Sequence, residues 1–362
     1  MIASAAVMSP KGPRTVAQPV KNASIEAAVP QTSMKKANAK TTALTSVDDL
    51  VGKYDMIYYY YYQTYSNWYT YNSPCEITKV DDTHVAISNF WDVSTNNITC
   101  TVDLAAGTIT IPTTAVLFTN SYGSAGVSLL DTSSWNPLTS QPLVLTYSDG
   151  YLLSSDYWCV YMLDGTYAGY AWDVCAYVQL TPCNSVFTMS YNDEDGNLIE
   201  GTYYADAILE NNVLKVANMA GFGFDDYVEF DLDPETKTAV AQNQAFYTSD
   251  EYNYYFYSYD DNGNMDDQVL ANIEGDNNNV ISFTNWTVYI PEADYNYGQL
   301  LDSTLTTPFN LCGEDNNAVH ANVADENATV EYFNLQGVKI SQPTEKGIYI
   351  RRAGHEVSKI AL

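Results

Sequence analysis

The second half of this chain repeats the first, and the repeat limits the folds open to it. Val85, Ile87 and Asn89 recur 129 residues on as Leu214, Val216 and Asn218, while Val102, Asp103, Leu104 and Thr108 recur 128 residues on as Phe230, Asp231, Leu232 and Thr236. The turn residues Asp81 and Asp82 answer to Glu210 and Asn211, and each half opens on an aromatic strand, Ile57 to Tyr62 and Val186 to Tyr191. Units of about 130 residues are whole domains rather than solenoid turns. Each unit must close a core of its own, with the join near Pro182 to Ser185.

Within each unit the apolar residues alternate at strand period, as in Cys75 to Lys79, Val85 to Phe90, Ile98 to Leu104 and Ile109 to Pro112, with short polar turns between them. No segment carries a capped 3.6-residue period. Later strands are read at Leu143 to Tyr147, Tyr157 to Met162 and Tyr170 to Leu180. The run Tyr58 to Tyr62 puts aromatic rings on both faces of one strand, so that strand is expected to be central, with one face buried and the other covered or half exposed. The expected fold is all-β: two tandem duplicated antiparallel domains, barrel or sandwich, followed by a small β module. The division is residues 1–46 as a signal-peptide remnant and disordered leader, 47–183 and 184–311 as the two domains, 312–329 as a linker and 330–362 as the terminal module. The leader reading rests on the short apolar run Met1 to Val7 and the Pro, Ala, Lys and Thr bias that follows it.

From Val47 to Thr329 there are 40 Asp plus Glu against four Lys and no Arg. Such a body repels nucleic acid and anionic membranes, and no stretch of about 18 apolar residues is present to span a bilayer. The 32 tyrosines suit half-wet strand faces, where the ring packs and the hydroxyl stays hydrated.

Chemical motifs are sparse. The loops Asn192 to Asn197 and Asp260 to Asn264 faintly resemble calcium loops, but with Gly196 or Gly263 at the turn the first ligand position falls on Tyr191 or Ser258. Hairpin turns account for both loops, and weakly held calcium is the one cofactor left open. His84 sits beside a turn, aligned with Val213 in the second half, and no catalytic residue is assigned. Six cysteines allow 15 full pairings. Cys159 and Cys175 flank the turn at Gly165 to Gly169, and Cys183 and Cys312 bracket the second domain, so these four are the disulfide candidates; the alternative is buried thiols. Among the tryptophans, Trp68 in a polar setting and Trp91 at a strand end are the candidates for stacking on a ligand, against core or rim packing.

At the C-terminus the run Tyr332, Phe333, Asn334, Leu335, Gln336, Gly337, Val338, Lys339, Ile340, followed by Gly347, Ile348, Tyr349 and Ile350, resembles the C-terminal sorting domain of the type IX (Por) secretion system of Bacteroidetes. Asn334, Leu335, Gln336, Gly337, Gly347, Ile348, Tyr349 and Ile350 form the sorting motif. The chain departs from that family in its ending, His355 through Leu362. The resemblance implies type IX machinery as a partner and a secreted or outer-surface location. The duplicated body loosely resembles calycin-like β domains, some of which hold small apolar ligands. The function expected is non-enzymatic binding of a glycan, peptide or small ligand outside the cell, with a secreted glycan-acting hydrolase or a structural adhesin component as alternatives.

Overall fold

The computed structural model describes residues 44–313, apart from 63–66, 93–95, 149, 193–196, 225, 249–251, 261–263, 267 and 297–300, together with 330–333, 339–340, 348–353 and 356–361. Residues 1–43 of the leader and the segment 314–329 lie outside the described residues, whereas Leu44 to Ser46, expected to be leader, are described and Leu44 is buried.

The first unit runs through β1 (Gly52–Tyr62), β2 (Asn67–Asp81), β3 (His84–Ser88), β4 (Ile98–Asp103) and β5 (Thr108–Ile111). A side excursion follows, β6 (Phe118–Asn120), β7 (Gly123–Asp131) and β8 (Asn136–Leu138), before β9 (Leu143–Ser148), β10 (Tyr151–Met162) and β11 (Ala171–Cys183). β11 pairs with both β10 and β1, so β1 to β5 and β9 to β11 close an eight-stranded antiparallel barrel.

The second unit copies this plan. β12 (Ser185–Asn192), β13 (Leu198–Glu210), β14 (Val213–Ala217), β15 (Tyr227–Asp233) and β16 (Thr238–Gln242) precede an excursion of β17 (Gln244–Thr248), β18 (Asn253–Tyr259) and β19 (Met265–Asp266). β20 (Gln268–Glu274), β21 (Val280–Ile290), the short β22 (Tyr295–Asn296) and β23 (Leu301–Thr306) follow, and β23 pairs with β21 and β12 to close the second barrel. Even the excursions match, since β7 lies on β10 as β18 lies on β21. Both units are closed barrels rather than sandwiches.

The ladders also correct the repeat. His84 pairs with Thr101 in the first barrel, and Val213 pairs with Asp231 in the second, which sets β4 and β15 130 residues apart rather than 128. The capping carboxylates agree, because Asp103 accepts from the Ala105 and Ala106 amides as Asp233 does from Glu235 and Thr236. A strand repeats its facing every two residues, so a slip of two leaves every apolar residue on the correct face.

Each barrel is filled by its inward residues. In β15 Val228, Phe230 and Leu232 are buried while Tyr227, Glu229, Asp231 and Asp233 face water. Trp158 packs at the centre of the first core against Tyr58 and Phe90, and Trp286 does the same in the second against Phe187 and Phe256. The tyrosine run splits by parity, Tyr58 and Tyr60 inward, Tyr59 and Tyr61 into a separate outer cluster with Trp68, Cys159 and Tyr161. β1 lies between β11 and β2, and its two faces are covered by the barrel core on one side and by the outer cluster, which includes Leu130 of β7, on the other. Leu44, Val47 and Leu50 join the first core from a 3-10 turn at Val47–Leu50, tied down by Lys79 to Asp48 at 3.0 Å.

The two barrels touch. Asn184, between them, bonds both the amide and the carbonyl of Ala207, and Asn72 on β2 donates to the Gly221 carbonyl at 2.8 Å. β24 (Val330–Phe333), β25 (Lys339–Ile340), β26 (Ile348–Ala353) and β27 (Glu356–Ala361) form a separate antiparallel sheet in the order β25-β24-β26-β27. Of the sorting motif, Ile348, Tyr349 and Ile350 lie in β26, while Asn334, Leu335, Gln336, Gly337 and Gly347 lie outside the described residues.

Candidate functional site

A strained turn gives the first barrel its most unusual end. Leaving β3, the chain passes through Asn89 (φ 50°), Trp91 (φ 64°) and Asp92 (φ 56°), three non-glycine residues in left-handed conformation within four positions. Asparagine and aspartate tolerate this region, but for Trp91 it costs on the order of 1–2 kcal/mol, and such strain persists only where the surroundings over-determine it. Here they do. Asn89 Nδ2 donates to the Pro74 carbonyl at 2.8 Å, the Asp92 amide to the Asn89 carbonyl at 3.1 Å, and the Trp91 amide points at Met56 Sδ, 3.5 Å away. Trp91 is thereby driven inward, stacked on Phe118 at 6.0 Å and 15°.

Asp92 is left at the rim, half buried. Its Oδ2 accepts from the Tyr71 hydroxyl at 2.7 Å and its Oδ1 from Asn89 Nδ2 at 3.3 Å. Around it, at the end where β1 finishes and β2 and β11 begin, stand half-buried rings. Tyr60 meets Tyr71 edge-on at 6.0 Å and 88°, and Tyr69 at 5.9 Å. On the other side Trp172 meets Phe118 at 79° and Tyr122 at 60°, and Tyr122 meets Tyr167 at 5.7 Å. The buried Trp91, Phe118 and Trp158 form the floor beneath, so the site is an aromatic mouth over a packed barrel rather than a hollow one.

The twin turn in the second barrel has gone another way. Asn218 (φ 56°), Ala220 (φ 54°) and Gly221 (φ 80°) hold the same conformation, with alanine in place of Trp91 and glycine in place of Asp92. That turn docks the first barrel through Asn72. Beside it, the Tyr203 phenol is pushed up to about 12, by burial first and then by the nearby charges of Tyr191, Asp92 and Asp55.

Neither stacking candidate read from the sequence faces solvent. Trp68 is 3% exposed, opposite Tyr61 at the start of β2 and edge-on to it at 5.4 Å; its polar neighbours suggested a loop, but the outer face of the sheet there is covered. Trp91 is 1% exposed and belongs to the floor. Of the residues at this end, Tyr60, Tyr71 and Asp92 were not singled out in the sequence, while Trp172 stood there only as one of six tryptophans open to stacking. The aligned repeat held a signal for one of them, the change from Asp92 to Gly221 three residues after the matched asparagines.

The disulfide expectation is also corrected, because all six cysteines are free thiols. The ladder sets Trp158 opposite Cys175 and Cys159 opposite Val174. That offset of one residue sends Cys175 into the barrel core and Cys159 into the outer cluster. Cys183 ends β11 near Asp55, whereas Cys312 lies beside Lys237 and Asp233 in the second barrel. Burial pushes the Cys100 and Cys159 thiols up to about 12 and those of Cys75 and Cys183 higher still, so these thiols stay protonated and are poor nucleophiles.

His84 lies at the opposite end of the first barrel, in the β2–β3 hairpin. Its Nδ1 is 2.9 Å from Thr83 Oγ1 and 3.0 Å from Asp81 Oδ1, and a single nitrogen shared by both cannot relay a proton between them. The Thr83 amide, then His84, hold the Asp81 carboxyl down at about 2. Among the described residues no group of three or more His, Cys, Asp or Glu side chains is arranged to hold a metal ion. Of the two acidic loops, residues 193–196 and 261–263 lie outside the described residues; Asp260 and Asn264 close the second as a hairpin, amide to carbonyl at 2.9 Å. No family of known proteins matches this chain, and neither a curated protein nor a solved structure matches it.

Proposed function

We propose that this is an exported, non-enzymatic binding protein whose first barrel receives a peptide or small ligand at its aromatic mouth. The observation that carries the reading is Asp92. The turn that presents it holds Trp91 left-handed beside it, where the twin barrel has alanine and then glycine, and strain of the kind carried by Trp91 gathers at sites where a side chain must be presented. Half-buried rings at one barrel end, with a carboxylate bonded to one of them, match the composition of a small-ligand site. Asp92→Asn keeps the size of the side chain and removes its charge, and Tyr71→Phe removes the hydroxyl bonded to it. Each is expected to weaken binding about tenfold with the melting temperature nearly unchanged, read by calorimetric titration with hits from a glycan, peptide and metabolite screen. Binding that survives both substitutions would place the site elsewhere, and turnover of a glycan in the same screen would favour the hydrolase.

Export rests on the terminal module. Its resemblance to a type IX sorting domain supports delivery to the cell surface or medium through that machinery. Deletion from Val330 onward is expected to leave the protein in the periplasm of a type IX-competent host, tracked by fractionation and immunoblotting. Secretion at the level of the full chain would overturn the sorting role.

A further inference from the structure

We propose that the ligand of this mouth presents a compact cation, an alkylated ammonium or guanidinium head, rather than a flat sugar ring or an anion. The proposal rests on reading the mouth as the binding site.

Ring geometry argues first. A pyranose stacks on a flat platform, but the mouth offers corners. Among the half-buried rings of the rim, Tyr60 and Tyr71 stand at 88°, Tyr122 and Trp172 at 60°, and Tyr60 and Tyr69 at 33°, while the nearly coplanar pair, Trp91 on Phe118 at 15°, is buried in the floor. Two rings meeting at a steep angle form a corner that suits a rounded head better than a flat ring, and aromatic faces of this kind hold ammonium groups.

Charge argues the same way. Asp92 supplies a carboxylate at the rim, and the 2.7 Å bond from the Tyr71 hydroxyl draws that phenol toward phenolate character, enriching the ring face a cation would meet. Among the described side chains an anion finds no counter-charge here. Lys53 starts β1 at the opposite end, and Lys79 is engaged there by Asp48 and Asp82 at 3.0 and 3.1 Å. Lys215 lies near Glu210 and Glu229, and Lys237 donates to Asn278, all within the second barrel. The acid excess of the body adds a long-range field that draws cations in and turns anions away.

Duplication does not double the site. The second barrel has Ala220 and Gly221 where the first has Trp91 and Asp92, and its turn is occupied by Asn72. One ligand per chain is therefore expected.

The test is titration of the full chain with tetramethylammonium and choline, against 3,3-dimethylbutan-1-ol as the neutral isostere of choline and a chitin oligomer as the sugar. Intrinsic tryptophan fluorescence and calorimetry report binding. The expected result is saturable binding of the cations at one per chain, at least tenfold weaker binding of the isostere, and loss of about tenfold for Asp92→Asn. Tyr71→Phe, which keeps the ring, serves as the second variant if Asp92→Asn misfolds. Equal affinity for choline and its isostere, or no cation binding up to about 100 mM, would overturn the cation assignment. If a neutral or sugar probe then binds in a manner sensitive to Asp92→Asn, the mouth stands and only its ligand class falls. If the hits from the broad screen bind both variants as tightly as the native chain, the mouth itself falls.

Discussion

Trp158→Ala is expected to destabilise the first barrel by about 4 kcal/mol and to lower its melting temperature by roughly 15 °C. Trp158 is fully buried, with Tyr58 and Phe90 rings at 5.6 and 5.8 Å, and its Nε1–H donates to the Tyr177 carbonyl at 3.2 Å. Truncation to alanine removes the largest side chain at the centre of a closed barrel, whose hydrogen-bonded ladder cannot collapse around the hole, and it leaves that carbonyl short of a donor. Trp286→Ala is the matched experiment in the second barrel. It opens a hole among Phe187, Phe256 and Phe283 and removes the Nε1–H bond to Ser303 Oγ at 2.8 Å. The two cores are separate clusters of buried residues, so the double variant is expected to lose the sum of the single losses. Urea unfolding followed by fluorescence and far-ultraviolet circular dichroism measures all three. A loss below about 1.5 kcal/mol for either single variant would contradict a tightly packed core. A strongly sub-additive double would contradict two independent ones.

Legibility in the sequence followed the range of the interactions involved. Strand facing is local, and alternation of the kind seen in Tyr227 to Asp233 placed the all-β fold and the duplication correctly. The strands of β4 and β15 were matched two residues out of step because a pleated strand is blind to a slip of two. Trp68 failed for a different reason. Whether an outward-facing side chain is wet depends on what folds over the sheet, and Trp68 meets Tyr157 of β10, far along the chain. Cys159 and Cys175 failed because a count from a turn cannot resolve one residue of register, which decides the face. Asp92 was legible in principle. Once Asn89 and Asn218 are aligned, the rest of that turn differs in the residues that point somewhere, and differences inside a matched repeat mark where two copies have taken separate tasks.

Gly221→Ala is expected to cost about 2 kcal/mol, and the separate origins of that loss can be told apart. At φ +80° any side chain is strained, by roughly 1 kcal/mol for alanine. An added Cβ would lie 2.7 Å from Asn72 Nδ2 and 3.0 Å from Tyr203 Cδ1, so one of them must move. If Asn72 yields, its bond to the Gly221 carbonyl is lost, about 1 kcal/mol. If Tyr203 yields, a ring that is 7% exposed is displaced from the second core, at a similar or greater cost. Asn72→Ala alone is expected to lose that hydrogen bond without the backbone strain at Gly221. In the double variant the crowding against Asn72 has nothing left to act on, so the combined loss should fall short of the sum by about 1 kcal/mol. Additivity within experimental error would mean that Asn72 and Gly221 do not press on one another. Because the damage lies between the barrels rather than inside the first core, ligand affinity at the first mouth is expected to change little. Retained affinity in Gly221→Ala would show that the two copies of this turn, one holding the molecule together and one presenting Asp92, have become independent.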